Sequence, residues 1–433
     1  MKNIKPFSKL LNNLKAVPLA FVLLISINAC GDKEYLNPSA ASEQQVVSDV
    51  NGLITLCNGL QYRFTVGRSS PSYTMPTTAG LMTRELTVLN AGNTDEEFLR
   101  QGAANVQGPN AVLSQLWAQS NLVKANADLI LRNADRATDL ATRSGIVGYA
   151  SIFRALALGN LATFWEKAPI AVGENAVFST REEVLQEAVR QLETAAAGSV
   201  PSALFISRIV PGIDVPNTIQ ALIARYSLML GDYDKAIAAA DKVDLTKRSV
   251  FNFDDLSRNA MYDISFSNRN VTEPINTSFG LPEDLKPDAA DKRIASFFNT
   301  TAGTNLGRAS FYNANNTGIP VYRPGEVILI KAEAQARKNS VAAAITELNK
   351  VLTKTTDVVG IGAGLSAYSG ATTQASVLTE IYKQRCIELF LTGLKLDDSR
   401  RFGRPESERT RTFLPYPQNE RDNNKSTPVD PVN

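Results

Sequence analysis

The chain of 433 residues is 44% hydrophobic and 20% charged, which is the composition of a globular protein with a sizeable core. Its 45 basic and 43 acidic residues leave a net charge of +2, which excludes the strong basic excess of a nucleic-acid-binding protein. The sequence contains no histidine, so Ser-His and Cys-His catalytic pairs and the commonest zinc ligand are excluded.

The N-terminal segment has the pattern of a bacterial lipoprotein signal peptide. Four lysines precede a run of mostly apolar residues, 17–29, which is shorter than the roughly 20 residues that a membrane-spanning helix needs. The run ends in Ile27-Asn28-Ala29-Cys30, which resembles a lipobox and predicts cleavage before Cys30 and lipid attachment to it. The alternative is an ordinary thiol after a leader. With cleavage before Cys30, residues 1–29 would be the signal peptide, residues 30–433 one domain and residues 30–40 its tether.

Helical spacing of apolar residues dominates the rest of the chain. It predicts helices at 42–64, 111–135, 146–166, 180–196 and 378–392. Ser179-Thr180 is the N-cap candidate of the fourth helix. Cys57 and Cys386 lie on apolar helical stripes, so we expect core positions for both, with their pairing left open. Trp117 and Trp165 lie on similar stripes and are predicted to pack in the core.

Segments without periodicity separate these helices. Residues 65–110 and 250–320 are rich in small and polar residues and are predicted to be long loop insertions. Residues 355–376 are predicted to be a flexible polar loop, and the tail from Arg404 onward to be largely extended. The glycine-rich stretch 360–370 lacks the Lys-Ser/Thr of a phosphate-binding loop.

Two segments repeat each other. GDYDKAIAAADKV (231–243) and NSVAAAITELNKV (339–351) align with identical residues at four positions, and each follows a helix rich in small residues. A helix, a tight turn and a second helix with an early alanine are typical of the tetratricopeptide repeat. The spacing between the copies far exceeds the 34-residue period, so the repeats are interrupted rather than tandem. Two generic alanine-rich hairpins are the alternative.

Several segments spread along the chain carry a further pattern. They are YLNP (35–38), LWAQSNLVKANADLI (116–130), YASIFRALALGNLATFWEKAPI (149–170), the helix pair 221–243, VYRPGEVILIKAEAQARK (321–338), IYKQRCIELFLTGLKLDDSRRFG (381–403) and FLPYPQNERDNN (413–424). In this order they resemble the SusD/RagB family of outer-membrane nutrient-binding lipoproteins, most specifically in the C-terminal third. Gln384, Thr392, Lys395 and Phe402 depart from the family pattern and put a local ion-pair network in question.

Preserved residues of the C-terminal segment are predicted to be scaffold. Arg385 and Glu388 stand three apart on one helix and could pair. Gly393 can take the left-handed conformation after the apolar run. Asp398, with Arg400 and Arg401, would dock the following turn through charge-assisted hydrogen bonds.

The resemblance implies an all-α, tetratricopeptide-like scaffold that binds its ligand on loops. Aromatic faces would stack on sugar rings, and Asn, Asp and Arg side chains would bond sugar hydroxyls. The loop candidates are Tyr73, Arg84, Asn93, Tyr262, Phe266, Arg308, Phe311 and Tyr312. For each, the alternative is that the side chain only pins its loop to the core. The loops lack tryptophan, which favours an oligosaccharide or a peptide over a large polysaccharide.

The implied function is capture of a nutrient, foremost a glycan, at the outer membrane and its delivery to a SusC-like TonB-dependent transporter. No bond cleavage, metal, cofactor or nucleic acid is expected. One alternative is a periplasmic helical-repeat adaptor that binds only proteins. Another is a hydrolase that uses carboxylates alone, but Asp95-Glu96-Glu97 and Asp254-Asp255 are expected to be solvated loop acids.

Overall fold

The structure is a computed structural model that describes residues 46–267, 270–299 and 312–432. Residues Val47–Asn433 form one compact unit. The signal segment, the tether and Cys30 lie outside the described residues, as do the candidate ligand residues Arg308 and Phe311.

Helices account for most of the regular structure. In chain order they are α1 Val50–Thr65, α2 Pro71–Met82, α3 Thr94–Gln101, α4 Ala111–Asn133, α5 Leu140–Phe164, α6 Arg181–Ala196, α7 Ala203–Arg208, α8 Val215–Leu230, α9 Tyr233–Ala240, α10 Arg293–Phe297, α11 Pro324–Arg337, α12 Val341–Leu352, α13 Gln374–Glu388, α14 Lys395–Arg401 and α15 Gln418–Asn423. Short 3₁₀ turns lie at Ala103–Asn105, Ala134–Arg136, Glu283–Leu285 and Glu406–Glu408, and a π-helix at Met261–Ser267.

Strands are short and form three antiparallel pairs in the described residues. They are β1 Leu86–Val88, β2 Lys167–Pro169, β3 Phe178–Thr180, β4 Val250–Phe251, β5 Thr272–Pro274 and β6 Ile319–Pro320. β1 pairs with β5, β2 with β3, and β4 with β6. The first pair ties the 250–320 insertion to the 65–110 segment, and the third pair joins the two ends of the 250–320 insertion to each other.

The helices pack as successive neighbours. α4 packs on α5, α5 on α6, α6 on α8, α8 on α9, α9 on α11, and α11 on both α12 and α13. The two predicted repeats, α8–α9 and α11–α12, therefore meet directly through α9 and α11, although about a hundred residues separate them in sequence. This arrangement confirms the predicted all-α, tetratricopeptide-like fold class.

Local sequence signals set the helix ends and the closest contacts. Thr180 forms a capping box with Glu183 at the start of α6, as the sequence indicated. Ala236 and Ala344, the aligned alanines of the two repeats, are completely buried. Gly159 of α5 faces Tyr226 of α8, where a Cβ atom would lie 2.3 Å from the tyrosine oxygen. Small side chains therefore set the approach of these helices.

The central helix α5 is both long and strongly apolar. By length and composition it could cross a membrane, but 94% of its most hydrophobic window is buried inside the protein. Such burial is typical of a core helix. Apolar neighbours surround α5, and its apolar character therefore follows from its central position.

The predicted loop at 65–110 is wrong in part, because it contains α2, β1 and α3. α2 begins with Pro71 at its first turn and is buried on almost every side, so it shows no amphipathic stripe. The three acidic residues 95–97 occupy the first turn of α3, where their negative charges interact favourably with the positive end of the helix dipole. The described part of 250–320 has only short elements, and residues 355–372 contain neither helix nor strand.

Both tryptophans pack in the core, as predicted. Trp117 and Trp165 contact each other edge to face, with ring centroids 4.8 Å apart. Trp117 Nε1 donates to Glu420 Oε2 at 3.0 Å, and Trp165 Nε1 donates to the Pro415 carbonyl at 2.9 Å. The C-terminal tail is thus anchored on this pair. Its predicted extended character is interrupted by α15.

The two cysteines of the described chain are core residues. Cys57 and Cys386 are both buried and free, so they do not form a disulfide with each other. Burial raises the pKa of Cys57 well above its usual range and that of Cys386 to about 12. Both behave as small apolar side chains.

A buried ion-pair network holds the C-terminal helices together. The predicted Arg385–Glu388 pair is wrong. Arg385 donates two hydrogen bonds to Asp398, at 2.9 and 3.0 Å. Arg401 joins the same network through Glu333, at 2.7 and 2.9 Å, and through Asp398 at 2.6 Å.

Glu388 instead pairs with residues from outside its helix. Arg293 reaches it at 3.0 Å and Lys354 at 2.6 Å. Gln384, which departs from the family pattern, accepts a hydrogen bond from the same Arg293. Lys395, another departure, donates to the carbonyls of Thr83 and Phe279. A buried ion-pair network therefore forms although Gln384 and Lys395 depart from the family pattern.

Candidate ligand-binding site

The first long insertion builds an open groove beside α3, called here the α3 groove. Its volume is about 290 Å³. The lining residues are Asp95, Phe98, Asn105, Gln107, Pro109 and Asn110. All come from residues 95–110, so one continuous segment supplies both its aromatic and its polar groups.

Phe98 is the aromatic group of this groove. It is 39% exposed and is the one phenylalanine among the exposed large hydrophobic residues of the described chain. Asp95 and Phe98 stand three positions apart on α3 and therefore share one face of the helix. A partly exposed ring beside a carboxylate offers both a stacking surface and a hydrogen-bond acceptor.

Backbone geometry fixes the far side of the groove. Asn110 caps α4 by accepting from the Val112 and Leu113 amides, at 3.0 and 3.2 Å. Its Nδ2 donates to the Asp95 carbonyl at 2.9 Å and so ties the start of α4 to α3. Gly102 has a φ of +71°, and a Cβ atom there would lie 2.2 Å from the Thr410 carbonyl oxygen. Only glycine allows the turn that brings Asn105 and Gln107 opposite Phe98.

The N-terminal end of α3 carries a second group of polar side chains, called here the amide cluster. Its members are Arg68, Asn90, Asn93, Glu96 and Asn270. Asn93 accepts from Arg68 at 3.2 Å and donates to the Asn270 carbonyl at 2.7 Å. Asn90 donates to Asn270 Oδ1 at 3.0 Å. The cluster joins the two long insertions that were predicted to bind ligand.

Charge in the amide cluster is balanced within it. Arg68 reaches Glu96 at 2.5 Å, and the Glu96 side chain is only 3% exposed while the Arg68 side chain is 48% exposed. Burial alone would lower the pKa of Arg68, but the hydrogen bond and charge of Glu96 raise it overall. Glu96 is therefore not the solvated loop acid that the sequence predicted. Asp254 is exposed and caps its own turn, as expected for such an acid.

Three of the predicted ligand residues have their side chains inside the core. Tyr73, Phe266 and Tyr312 are each at most 2% exposed. Phe266 stacks on Tyr312 with ring centroids 5.9 Å apart, and the Tyr73 hydroxyl lies 3.4 Å from Ser265 Oγ. Burial raises the pKa of Tyr73. These rings hold the insertion in place and offer no open face for stacking.

The other described candidates lie at three different places. Asn93 belongs to the amide cluster. Tyr262 is half-buried against the core. Arg84 is exposed and has a left-handed φ of 63°. Its Nε donates to the Ser407 carbonyl at 2.8 Å, inside a separate groove of about 500 Å³ that Arg404 and Glu408 also line. The structure therefore does not gather the predicted residues into one site.

The groups that sequence reasoning missed are Phe98, Asn105, Gln107 and Arg68. The segment around Phe98 was interpreted as loop acid, although its acidic start followed by Phe98 and Leu99 is compatible with a short helix. Recognising that helix would have placed Asp95 and Phe98 on one face. The pairing of Arg68 with Glu96 depends on tertiary contacts and left no local signal.

No group of three or more His, Cys, Asp or Glu side chains suited to a metal ion occurs within residues 46–267, 270–299 and 312–432. The polar side chains of the α3 groove are one carboxylate, which accepts hydrogen bonds, and three amides, which both donate and accept them. Such neutral and singly charged groups suit hydrogen bonding to an uncharged polar ligand.

Comparison with known proteins gives a family match for the C-terminal part of the chain and a fold match for most of its length. Residues 304–430 match the model of the SusD family. A search of curated proteins finds no matching relative.

Solved structures match along most of the chain. A SusD superfamily protein from Bacteroides vulgatus ATCC 8482 is 16% identical with a TM-score of 0.66, over 90% of this chain and 98% of that one. Another, from Bacteroides thetaiotaomicron VPI-5482, is 13% identical with a TM-score of 0.68, over 89% and 98%. A SusD-like carbohydrate binding protein from Bacteroides vulgatus is 18% identical with a TM-score of 0.65, over 82% and 84%. The chain thus has the fold of SusD superfamily proteins and matches the SusD family over residues 304–430, which confirms the resemblance found in its sequence.

Proposed function

We propose that this protein captures a glycan or oligosaccharide nutrient in the α3 groove and releases it unchanged. The observation that carries the proposal is the exposed Phe98 ring, which lies in a groove whose polar groups include Asp95, Asn105 and Gln107. Sugar rings present C–H patches that pack on an aromatic face, whose electron density attracts them. Their hydroxyls find carboxylate and amide partners around the same ring.

The amide cluster extends this surface. Arg68 keeps half of its side chain exposed while Glu96 holds it in position. A guanidinium has five N–H donors, so the group that is fixed by Glu96 and Asn93 retains donors for a ligand hydroxyl. A long ligand could thus contact Phe98 and the amide cluster on two sides of α3.

The name of one solved relative agrees with this proposal. The protein from Bacteroides vulgatus described as a SusD-like carbohydrate binding protein shares the fold at 18% identity. The proposal that this chain binds a glycan rests on Phe98 and the polar groups around it.

The place of action follows from the sequence. We propose that Cys30 carries the lipid anchor, that the protein lies at the outer face of the outer membrane, and that it passes its ligand to a SusC-like TonB-dependent transporter. The lipobox-like sequence Ile27–Cys30 and the family match of residues 304–430 support this assignment.

The proposal is tested with a glycan binding screen and two matched variants. Phe98→Ala removes the stacking surface, and we expect binding of the best glycan to weaken about tenfold, or about 1.4 kcal/mol. Tyr62→Ala is the control, because Tyr62 is 60% exposed but does not line the groove. Phe98→Tyr should restore binding.

Other outcomes of the screen would favour other functions. Equal loss of binding in both alanine variants, or none in either, would contradict the α3 groove as the site. Release of hydrolysed products would identify a hydrolase. If no glycan or peptide binds, but the protein captures a transporter or another protein, the helical-repeat adaptor is favoured.

A further inference from the structure

A second cavity, called here the inner crevice, penetrates the protein between α2, α5, α8 and β6. Its volume is about 80 Å³. Five lining residues are half-buried and form its mouth, and the others are buried. The mouth consists of Ser72, Met75, Ile319, Pro320 and Thr392. The crevice is therefore reached from the surface and ends in the core. It shares no lining residue with the α3 groove.

The walls of the inner crevice are mostly apolar. They include the buried side chains of Phe64, Leu156, Met229, Phe251, Leu391 and Leu394, and the first five belong to one hydrophobic cluster. Gly159 also lines it and leaves room for the Tyr226 ring to lie against α5. Such walls offer no hydrogen-bond partners, so a molecule held against them needs an apolar body.

Two polar groups among the lining residues are unusual. Asn160 and Tyr322 are each only 3% exposed. Within the described part of the chain, neither Asn160 Nδ2 nor the Tyr322 hydroxyl has a hydrogen-bond partner. A buried polar group without a partner costs about 1–3 kcal/mol. Both side chains line the crevice, where a bound molecule would supply the missing partner.

Three charged residues line the crevice, and each is bonded to other parts of the protein. Arg225 donates to both carboxylate oxygens of Glu326, at 2.5 and 2.8 Å, and to the Val321 carbonyl at 2.9 Å. The third charged residue, Arg323, donates to two backbone carbonyls, at 2.5 and 3.1 Å. The side-chain groups of Asn160 and Tyr322 that lack partners are uncharged, so they favour a neutral ligand.

We infer that the inner crevice is a binding site for a small neutral molecule with an apolar body and one carbonyl or hydroxyl oxygen. The oxygen accepts a hydrogen bond from Asn160 Nδ2 or from the Tyr322 hydroxyl, and the apolar body lies against the walls. At roughly 10–15 Å³ for each water-sized position, the cavity holds about five to eight nonhydrogen atoms. Water alone is a poorer occupant, because each buried water needs two to four polar partners and most of the wall provides none.

The experiment compares ring probes of nearly equal size on the full chain. Cyclohexanone and cyclohexanol carry the oxygen, and methylcyclohexane does not. Titrations followed by NMR should show saturable binding of the first two, at one molecule for each chain, and at least fivefold weaker binding of methylcyclohexane. Asn160→Leu and Tyr322→Phe together should remove this preference for oxygen.

Controls separate the site from general effects on folding. Ser120→Ala removes another buried hydroxyl without a partner in the described chain, outside the crevice, and should leave probe binding unchanged. Ile319→Trp enlarges a mouth residue without changing the polar groups and should block all three probes. Glycan binding in the α3 groove should be unaffected. Absence of saturable binding, retention of the oxygen preference in the double variant, or a crystal structure with only water in the crevice would overturn the inference.

Discussion

Glu85 is the most unusual titratable residue of the core. It is 2% exposed. Burial raises the pKa of its carboxyl group to about 7, against the opposing influence of Lys395, the Leu391 backbone and Arg323, while the nearby Asp398 adds to the rise. The carboxyl group therefore changes its charge near neutral pH, far above the usual range of a glutamate.

This shift predicts a specific dependence of stability on pH. Between about pH 4.5 and 7 the unfolded chain ionises Glu85 while the native chain still holds the proton, so native stability falls as the pH rises. Glu85→Gln should remove this slope and stabilise the protein above pH 7, by up to about 3 kcal/mol.

Urea unfolding at pH 5 and pH 8 measures the effect. Glu406→Gln, at an exposed glutamate, is the control and should leave the difference between the two pH values unchanged. An unchanged difference in Glu85→Gln would contradict the assignment of the slope to this carboxyl group.

At the scale of elements, the two aligned alanines define how the repeats pack. Ala344 of α12 is fully buried, whereas the neighbouring Ala343 is exposed. Ala344→Leu inserts a larger side chain into a filled contact and should destabilise the protein by about 1–3 kcal/mol. Ala343→Leu changes the same residue type on the solvent face and should be close to neutral. Thermal unfolding of both variants checks the prediction, and equal effects would refute it.

The sequence correctly predicted helices that bury one face. The predictions failed where a helix is buried on all sides and where a contact joins distant parts of the chain. The stripe of α6 and its Thr180 cap are local signals, and both were predicted correctly. α2 is buried on nearly all sides and shows no periodicity, so it was mistaken for loop. Arg385 pairs with Asp398, and Glu388 pairs with Arg293 from a distant segment, so the i, i+3 rule chose the wrong partner for Arg385.

The site illustrates the same limit. The two long insertions were predicted to bind ligand, but their aromatic residues were judged by type and position alone. Tyr73, Phe266 and Tyr312 are buried, and the exposed ring is Phe98. Whether a loop side chain faces solvent depends on contacts between distant parts of the chain, such as the β1–β5 pairing. Such contacts cannot be predicted from composition.

At the scale of the whole molecule, anchoring is a prediction from the sequence around Cys30. Cys30→Ala removes the residue that is predicted to carry the acyl chains, and lasting membrane attachment needs more than one such chain. The variant should therefore move from the membrane fraction to the soluble fraction. Cys57→Ala is the control, since Cys57 is a buried core thiol. Membrane fractionation with immunoblotting distinguishes them. Retention of the Cys30 variant in the membrane would contradict lipid anchoring at this position.

The central claim is that the α3 groove binds a sugar ligand on Phe98. The most direct test is a crystal structure of the protein with the best oligosaccharide from the binding screen. The account predicts a sugar ring stacked on Phe98, with hydroxyls bonded to Asp95, Asn105 or Gln107. Sugar bound at another surface with the α3 groove empty would contradict it.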